Sequence, residues 1–475
     1  MAYDHISFKL RSKLREPPAC IDAYVQPFQT RGSVFLVTAN GTTAASATAN
    51  VLRPVGSDGE WVCGAGTTLD SNSCQFSDTL KRIRSGEYPW EPSSGDAVSY
   101  CLSERVPERC KVQSNAYIAI IVLIITLIKA TVMFYLAWRV SETPLLTIGD
   151  AIASHTRRPD DSTKWMCLAS KEDIADCYGR WLREPKLYEP SRPRLLFVAS
   201  KLRWFVCIIL YVLILGIAML FLALGIARIA TTSVGFQSIW DLGIGKVNPV
   251  TVLSLHTPKT GTSGLVANSV VANFAQPILS LMYFLYNGII TTFCTAMEWE
   301  SYAQHRKGLR VSGKAQGDQR STYFLQLPYR FSLPLMTLSG LLHWLGSQSL
   351  FLVIIDTWAY STRAGEWTLS ESDTSSRMSC GYSPMAIIFL LVTGYTMLGL
   401  LVGSSFRKLR TGMPVVASCS AAIAAACHLP DGEHDGDASV AKLQWGETQD
   451  KLHGVRHVAF SHLPVEAPEE RAFYI

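Results

Sequence analysis

No aspartate or glutamate falls inside any of five long apolar runs in this chain, at residues 116–138, 205–227, 277–297, 331–355 and 384–406. A carboxylate held in hydrocarbon is costly and marks ion-coupled pumps, so its absence argues against a pump driven by a membrane carboxylate. His343 is the single histidine within the runs. A transmembrane haem held by facing histidines needs more than one, which disfavours ferric-reductase-like electron transfer. The phosphate-cradling word GxxxxGK[ST] is missing, and Gly243-Ile-Gly245 lacks the rest of a dinucleotide fingerprint. Among twelve cysteines there is no C-x-x-C pair, and the tail histidines, with Gly454 between His453 and His457, read as surface residues rather than zinc ligands. Gly261-Thr-Ser-Gly264 matches a short word of intramembrane serine proteases, but reads as loop rather than helix start. The net charge of +5 is small for 475 residues, and the basic residues sit beside apolar runs. Nucleic acid is therefore an unsuitable partner. No cofactor and no metal site are expected, and the balance leans away from an enzyme.

What the chain has is length of apolar sequence. Hydrophobic residues make up 48% and charged residues 17%, and the apolar content is gathered into runs of about twenty, the mark of membrane helices. At ~1.5 Å rise per residue each run crosses a hydrocarbon core ~30 Å thick. Helices satisfy their own backbone groups in lipid. The expected fold is an α-helical polytopic membrane protein: a five-helix transmembrane bundle with a small mixed, disulfide-bearing exoplasmic domain at residues 1–115. The lipid bilayer is the expected partner, with protein partners reached through that domain or the tail.

Loop charge sets the expected orientation. Lys and Arg number twelve in 139–204, six in 298–330 and seven in 407–475, against three in 228–276 and two in 356–383. The first three segments are expected in the cytoplasm and the last two outside, in a plasma or secretory-pathway membrane. Cys20, Cys63, Cys74, Cys101, Cys110 and Cys380 then share the oxidising side and are disulfide candidates, with 15 pairings open. Asn40-Gly41-Thr42 is a glycosylation acceptor on that side. Short strands are expected in 1–115, among them Ser33 to Thr38. No apolar run precedes residue 116, so translocation of 1–115 leads to the expectation of a further upstream helix.

Three polar side chains lie near the middle of runs: Lys129, Asn287 and His343. They read either as one midplane site for a polar or anionic solute or as glue between helices. At 100° per residue, Ser339, Gly340, His343, Gly346 and Ser347 share one arc, which predicts a close helix contact centred on His343. The 407–475 segment reads as a modest tail with a small-residue helix at 417–428. Residues 144–153 read as a short amphipathic helix, lying on the inner membrane surface or packed under the bundle.

Several long words carry a family likeness. They include Pro144-Leu-Leu-Thr-Ile-Gly-Asp-Ala-Ile-Ala-Ser154, Glu298-Trp-Glu-Ser-Tyr-Ala303, Arg306-Lys-Gly-Leu-Arg-Val-Ser312, Arg320 to Arg330, Ser339 to Ser349 and Cys380-Gly-Tyr-Ser-Pro384. With them the chain resembles a group of fungal multi-pass membrane proteins of unknown function, over most of residues 95–430. The resemblance implies a membrane protein with a further upstream membrane segment, and it supplies no catalytic residue. The expected role is non-enzymatic interaction, sensing or scaffolding, with a transporter or channel as the alternative.

Overall fold

The structure, a computed structural model, describes residues 11–14, 19–20, 31–38, 50–52, 98–105, 116–139, 145–176, 183–230, 236–247, 251–253, 257–322, 327–356, 358–361, 366–369, 376–429, 438–449 and 454–475. It divides into two compact units, Met1–Tyr135 and Leu136–Ile475.

The first unit holds an antiparallel sheet of β1 (Arg11–Leu14), β2 (Arg31–Thr38), β3 (Asn50–Leu52) and β4 (Val98–Arg105), in the order β1-β4-β2-β3. The expected strand at Ser33 to Thr38 lies within β2. A disulfide joins Cys20 to Cys101 of β4, Cα to Cα 6.1 Å, and both residues are buried. Cys63, Cys74, Cys110 and Asn40 lie outside the described residues. Helix α1 (Ala116–Arg139) then follows. It contains no glycine or proline, every residue on it is exposed, and all but Thr126, Lys129, Thr131 and Arg139 are apolar or aromatic. Thr126 and Thr131 turn their hydroxyls onto the carbonyls of Val122 and Leu127, 2.7 and 2.8 Å away, which satisfies them without water.

The second unit contains α2 (Ile148–Arg157), α3 (Lys201–Ala230), α4 (Gly261–Asn273), α5 (Ala275–Gln304), α6 (Tyr329–Ser349) and α7 (Pro384–Ser405). Helices α3, α5, α6 and α7 pack around one apolar core, in which Tyr211, Leu215, Ile289, Phe293, Leu345 and Met397 are buried. Among the described residues four helical stretches are long and apolar enough to cross a membrane: Ala116–Arg139, Lys201–Ala227, Gly261–Gln304 and Pro384–Ser405. Their outward residues, such as Phe205, Val212, Leu224, Val392 and Leu400, are large, apolar and exposed. A surface of that kind marks a membrane protein.

The expected run 331–355 is corrected. Helix α6 stops at Ser349, and Leu350–Asp356 continues as a strand paired antiparallel with Ser376–Tyr382. The cause is local and tertiary together. Gly346, Ser347 and Ser349 weaken the last turn, and Val353, Ile354 and Ile355 prefer a pleated surface once a partner strand is present. The described bundle of the second unit therefore has four helices, one of them too polar to count among the four apolar stretches.

Each end of this bundle carries its own module. At one end Val252–Leu253 joins the strand pair Leu350–Asp356 and Ser376–Tyr382, and α4 packs beside them. At the other, segments 148–168, 299–311, 413–427 and 443–474 enclose a second core built on Ile152, Trp299, Tyr302, Leu309, Val416, Trp445 and Phe460. Strand Lys442–Glu447 lies between Val458–Ser461 and Lys307–Gly308. The expected modest tail is thus a structural wall of this core, and its helix is short, Ser420–Ala425. Helix α2 buries Ile148 and Ile152 in the same core, so its apolar face is taken up by protein rather than by a membrane surface.

Candidate functional site

The second core is fastened to the end of α5 by a polar joint. Thr147 and Asp150 form a capping box at the start of α2: the Asp150 amide donates to Thr147 Oγ1 (3.0 Å), and Asp150 Oδ2 accepts from the Thr147 amide (2.8 Å). The same two side chains reach across the chain. Thr147 Oγ1 donates to the Arg310 carbonyl (2.7 Å), and Asp150 Oδ1 accepts from the Ser312 amide (2.9 Å). Arg310 in turn grips Glu298 at the end of α5 with two parallel bonds, Nε to Oε1 at 3.0 Å and Nη2 to Oε2 at 2.7 Å. The pair is mostly buried, with side-chain exposures of 15% and 12%. Two-pronged pairing of this kind fixes direction as well as distance. Beside it Lys307 sits 4.0 Å over the Tyr302 ring and donates to Ser301 Oγ. Burial pushes the Lys307 ammonium down to about 8; Glu298 opposes this, and Arg320 and Arg310 add to it.

Beside the second core, with which it shares Leu168, Tyr188 and Met413, a cleft of about 220 Å³ opens between segments 168–172, 186–198 and 412–415. Its polar wall is built. Lys171 donates its ammonium to the carbonyls of Phe197 (3.0 Å) and Val198 (2.5 Å), which lead into α3. Asp173 accepts from the Ser170 hydroxyl (2.6 Å) and amide (2.7 Å) and from Lys186 Nζ (2.7 Å). Burial raises the Asp173 carboxyl, but the Lys186 ammonium and the Ser170 donors outweigh it and hold the group below its ordinary range. Burial also lowers Lys171, with Glu172 opposing. Gly412 lets the far wall approach, since a Cβ there would meet Pro190 Cβ at 2.4 Å and Tyr188 Oη at 2.6 Å. The volume suits a small polar ligand or a single docked side chain and falls below the range usual for drug-sized sites.

Within the bundle, His343 has a defined partner. Gln276, at the start of α5, donates from Nε2 to the His343 carbonyl (3.1 Å) and accepts on Oε1 from His343 Nδ1 (2.6 Å). Asn287 lies eleven residues further along α5, about 16 Å at ~1.5 Å per residue, and is half-buried. The pair His343 and Asn287 therefore do not share one layer. Lys129 belongs to α1 in the first unit and is exposed there. The expected polar stripe is corrected as well. The buried side of α6 is Leu335, Leu342, Leu345, Gly346 and Ser349, while Gly340 and Ser347 are exposed. Of the two stripe glycines only Gly346 meets a neighbour closely: a Cβ there would stand 2.9 Å from Leu279 Cδ1, while nothing lies within 4 Å of one at Gly340.

Three further expectations change. Cys380 is a free, buried thiol that donates to the Asn268 carbonyl (3.5 Å) rather than one half of a disulfide; burial raises it. Gly261-Thr-Ser-Gly264 opens α4 instead of lying in a loop, with Ser263 exposed. His428 and His457 are buried, not on the surface. The Thr163 hydroxyl donates to Asp160 O (3.0 Å), so its oxygen accepts from His428 Nε2 (2.9 Å). His457 Nε2 donates to His428 O (2.8 Å), and its Nδ1 faces Ile475 O. Among the described residues no group of three or more His, Cys, Asp or Glu is placed to hold a metal ion.

Gln276 escaped sequence reading because it precedes the apolar run and looks like loop. Glu298 and Arg310 lay inside the quoted family words, twelve residues apart. Opposite charges on either side of a helix end are the signal that would have found them. The model of a domain of unknown function, DUF8419, matches residues 182–471, well over half of the chain. No curated protein and no solved structure matches it.

Proposed function

Because the chain belongs to the DUF8419 family, whose function is unknown, we propose from its own geometry that it is a membrane-embedded adaptor or sensor, not an enzyme. The observation that carries this reading is the second core. Four segments separated in sequence fold into one module, and the cleft beside it has walls that lead into α3 and follow from α7. A ligand or partner side chain in the cleft would press on both helices. In this reading the module is cytoplasmic, following the loop charges, and the α4 end is exoplasmic, in a cell-surface or secretory membrane.

The transport alternative rests on His343, half-buried in a helix contact of the bundle. Its test is reconstitution of the full chain in liposomes with a panel of polar and anionic solutes. The adaptor reading expects flux equal to protein-free liposomes. Flux above that level, lost in His343→Ala, would replace it with transport. The adaptor reading has its own test: a photo-crosslinking residue at Lys186 or Ser191 on the cleft rim should give a discrete adduct in cells, and one at Lys314 should not.

A further inference from the structure

Two short basic segments are held side by side at the mouths of two apolar helices. The Leu195 amide donates to Arg407 O (2.9 Å) and the Leu409 amide to Pro193 O (3.0 Å), which sets Arg194 directly opposite Lys408. Like charges opposite each other across a strand pair are destabilising, so this arrangement works against the fold unless an anion sits over it. Flanking the pair in sequence are Arg192, Lys201, Arg203 and Arg407, all exposed. Among the described residues none of these six reaches a carboxylate within ion-pair distance. Glu300, the nearest acid on α5 to this strand pair, is occupied by the Arg410 and Thr411 amides, at 2.6 and 3.4 Å. Glu172 and Glu189 line the adjoining cleft instead.

The second observation is apolar. Segment 193–195 leads into α3, which begins at Lys201, and 407–409 follows α7, which ends at Ser405. The apolar side chains adjoining these cations are Phe197 just before α3, Leu202 and Phe205 in its first turns, and Phe406 just after α7, each more than half exposed. Arg194 stands 5.9 Å over the Phe406 ring. Exposed cations alongside bare apolar side chains match the boundary between lipid headgroups and acyl chains. A soluble anion would account for the cations and leave the rings in water.

We propose that Arg194 and Lys408, with their basic surround, form a binding site for the headgroup phosphate of an anionic phospholipid, whose acyl chains lie along Phe197, Leu202 and Phe406. The site rests on the membrane-embedded reading and is independent of the adaptor role. It also differs from the α2 surface, whose apolar face is already buried in protein.

The test uses the full chain in detergent micelles, titrated with phosphatidylserine or phosphatidylcholine of the same acyl chains and read by native mass spectrometry. Phosphatidylserine should be retained preferentially. Arg194→Gln with Lys408→Gln should weaken it about 25-fold, at roughly five-fold per cation removed. Arg158→Gln with Lys164→Gln should leave it unchanged. Thermal unfolding in phosphatidylcholine alone should be no lower for the Arg194/Lys408 variant than for the parent, since removing an opposed like-charge pair relieves a repulsion. Equal retention of both lipids overturns the proposal, as does a preference that survives Arg194→Gln/Lys408→Gln. Displacement by glycerophosphoserine at the same concentration as the lipid also overturns it, in favour of a soluble phosphate. A protein that stays in solution without detergent would instead sink the membrane reading itself.

Discussion

Gly149 occupies a place where no side chain fits: a Cβ there would lie 2.2 Å from the Arg310 carbonyl oxygen. The obstacle is backbone, held in turn by Thr147 and by the grip of Arg310 on Glu298, so it does not yield as a side-chain tip would. Gly149→Ala is expected to cost about 2 kcal/mol, a typical overpacking penalty, and to lower the Tm of the detergent-solubilised protein by several degrees. Gly288→Ala is the matched control, because nothing lies within 4 Å of its added methyl; its Tm should be unchanged or higher, as helices favour Ala over Gly. Equal behaviour of the two variants would contradict the close approach of α2. Lys307 gives a second residue-scale prediction. Its ammonium is pushed down to about 8, burial being the main cause, while an unfolded lysine titrates near ~10.4. Between those values the unfolded chain holds more protons than the folded one, so the contribution of Lys307 to stability increases as pH rises through that window. Labelling with a small acylating reagent, followed by peptide mass spectrometry, should show a midpoint near pH 8 at Lys307. A midpoint near 10 would mean that the site is open to water.

At the scale of elements, the contact of α5 with α6 turns on one reciprocal pair. Gln276 and His343 each give and take one hydrogen bond, and because residue 343 accepts through its backbone carbonyl, His343→Ala removes only the Nδ1–Oε1 bond while Gln276→Ala removes both. A double-mutant cycle of Gln276→Ala and His343→Ala, read by thermal unfolding, should show a coupling of ~1 kcal/mol, the range found for polar pairs between membrane helices. Strictly additive losses would show that the pair carries nothing. This contact also shows what sequence could and could not say. Helices α1, α3 and α7 were legible because nothing interrupts their apolar runs. The end of α6 was not: Leu350 to Ile355 is as apolar as the helix before it, and the switch to strand depends on Ser376–Tyr382, a partner that becomes visible only when the chain has folded back. His343 was legible as a residue needing a partner, but the partner sits outside the run in which it was sought. The burial of His428 and His457 was hidden for the same kind of reason. The tail looked polar and short of apolar periodicity, yet Lys442–Glu447 pairs with Val458–Ser461 and Lys307–Gly308 and closes a core over both histidines.

The whole second unit imposes a parity that single segments do not. Strand Lys442–Glu447 pairs with Lys307–Gly308, and 193–195 pairs with 407–409, so the segments richest in Lys and Arg form one body. Val252–Leu253, Leu350–Asp356 and Ser376–Tyr382 form another. Helices α3, α5, α6 and α7 each run from one body to the other. If three of them cross a membrane, α6 crosses too, although it carries His343, Gln348 and four serines, Ser332, Ser339, Ser347 and Ser349. Those residues are tolerable there because Ser332, Gly346 and Ser349 are buried against neighbours and His343 is bonded to Gln276. The expected topology follows: glycosylation acceptors inserted near Trp358–Ser361 or after Lys259 should be modified together, and acceptors inserted near Lys314 or after Ser439 should not be. Placing only one of the paired basic segments on the other side would part Lys442 from Gly308 and break a sheet. Modification at both Lys314 and Trp358 would therefore refute the parity itself. Modification at Lys314 and Ser439 alone would keep the parity and reverse the orientation read from the loop charges.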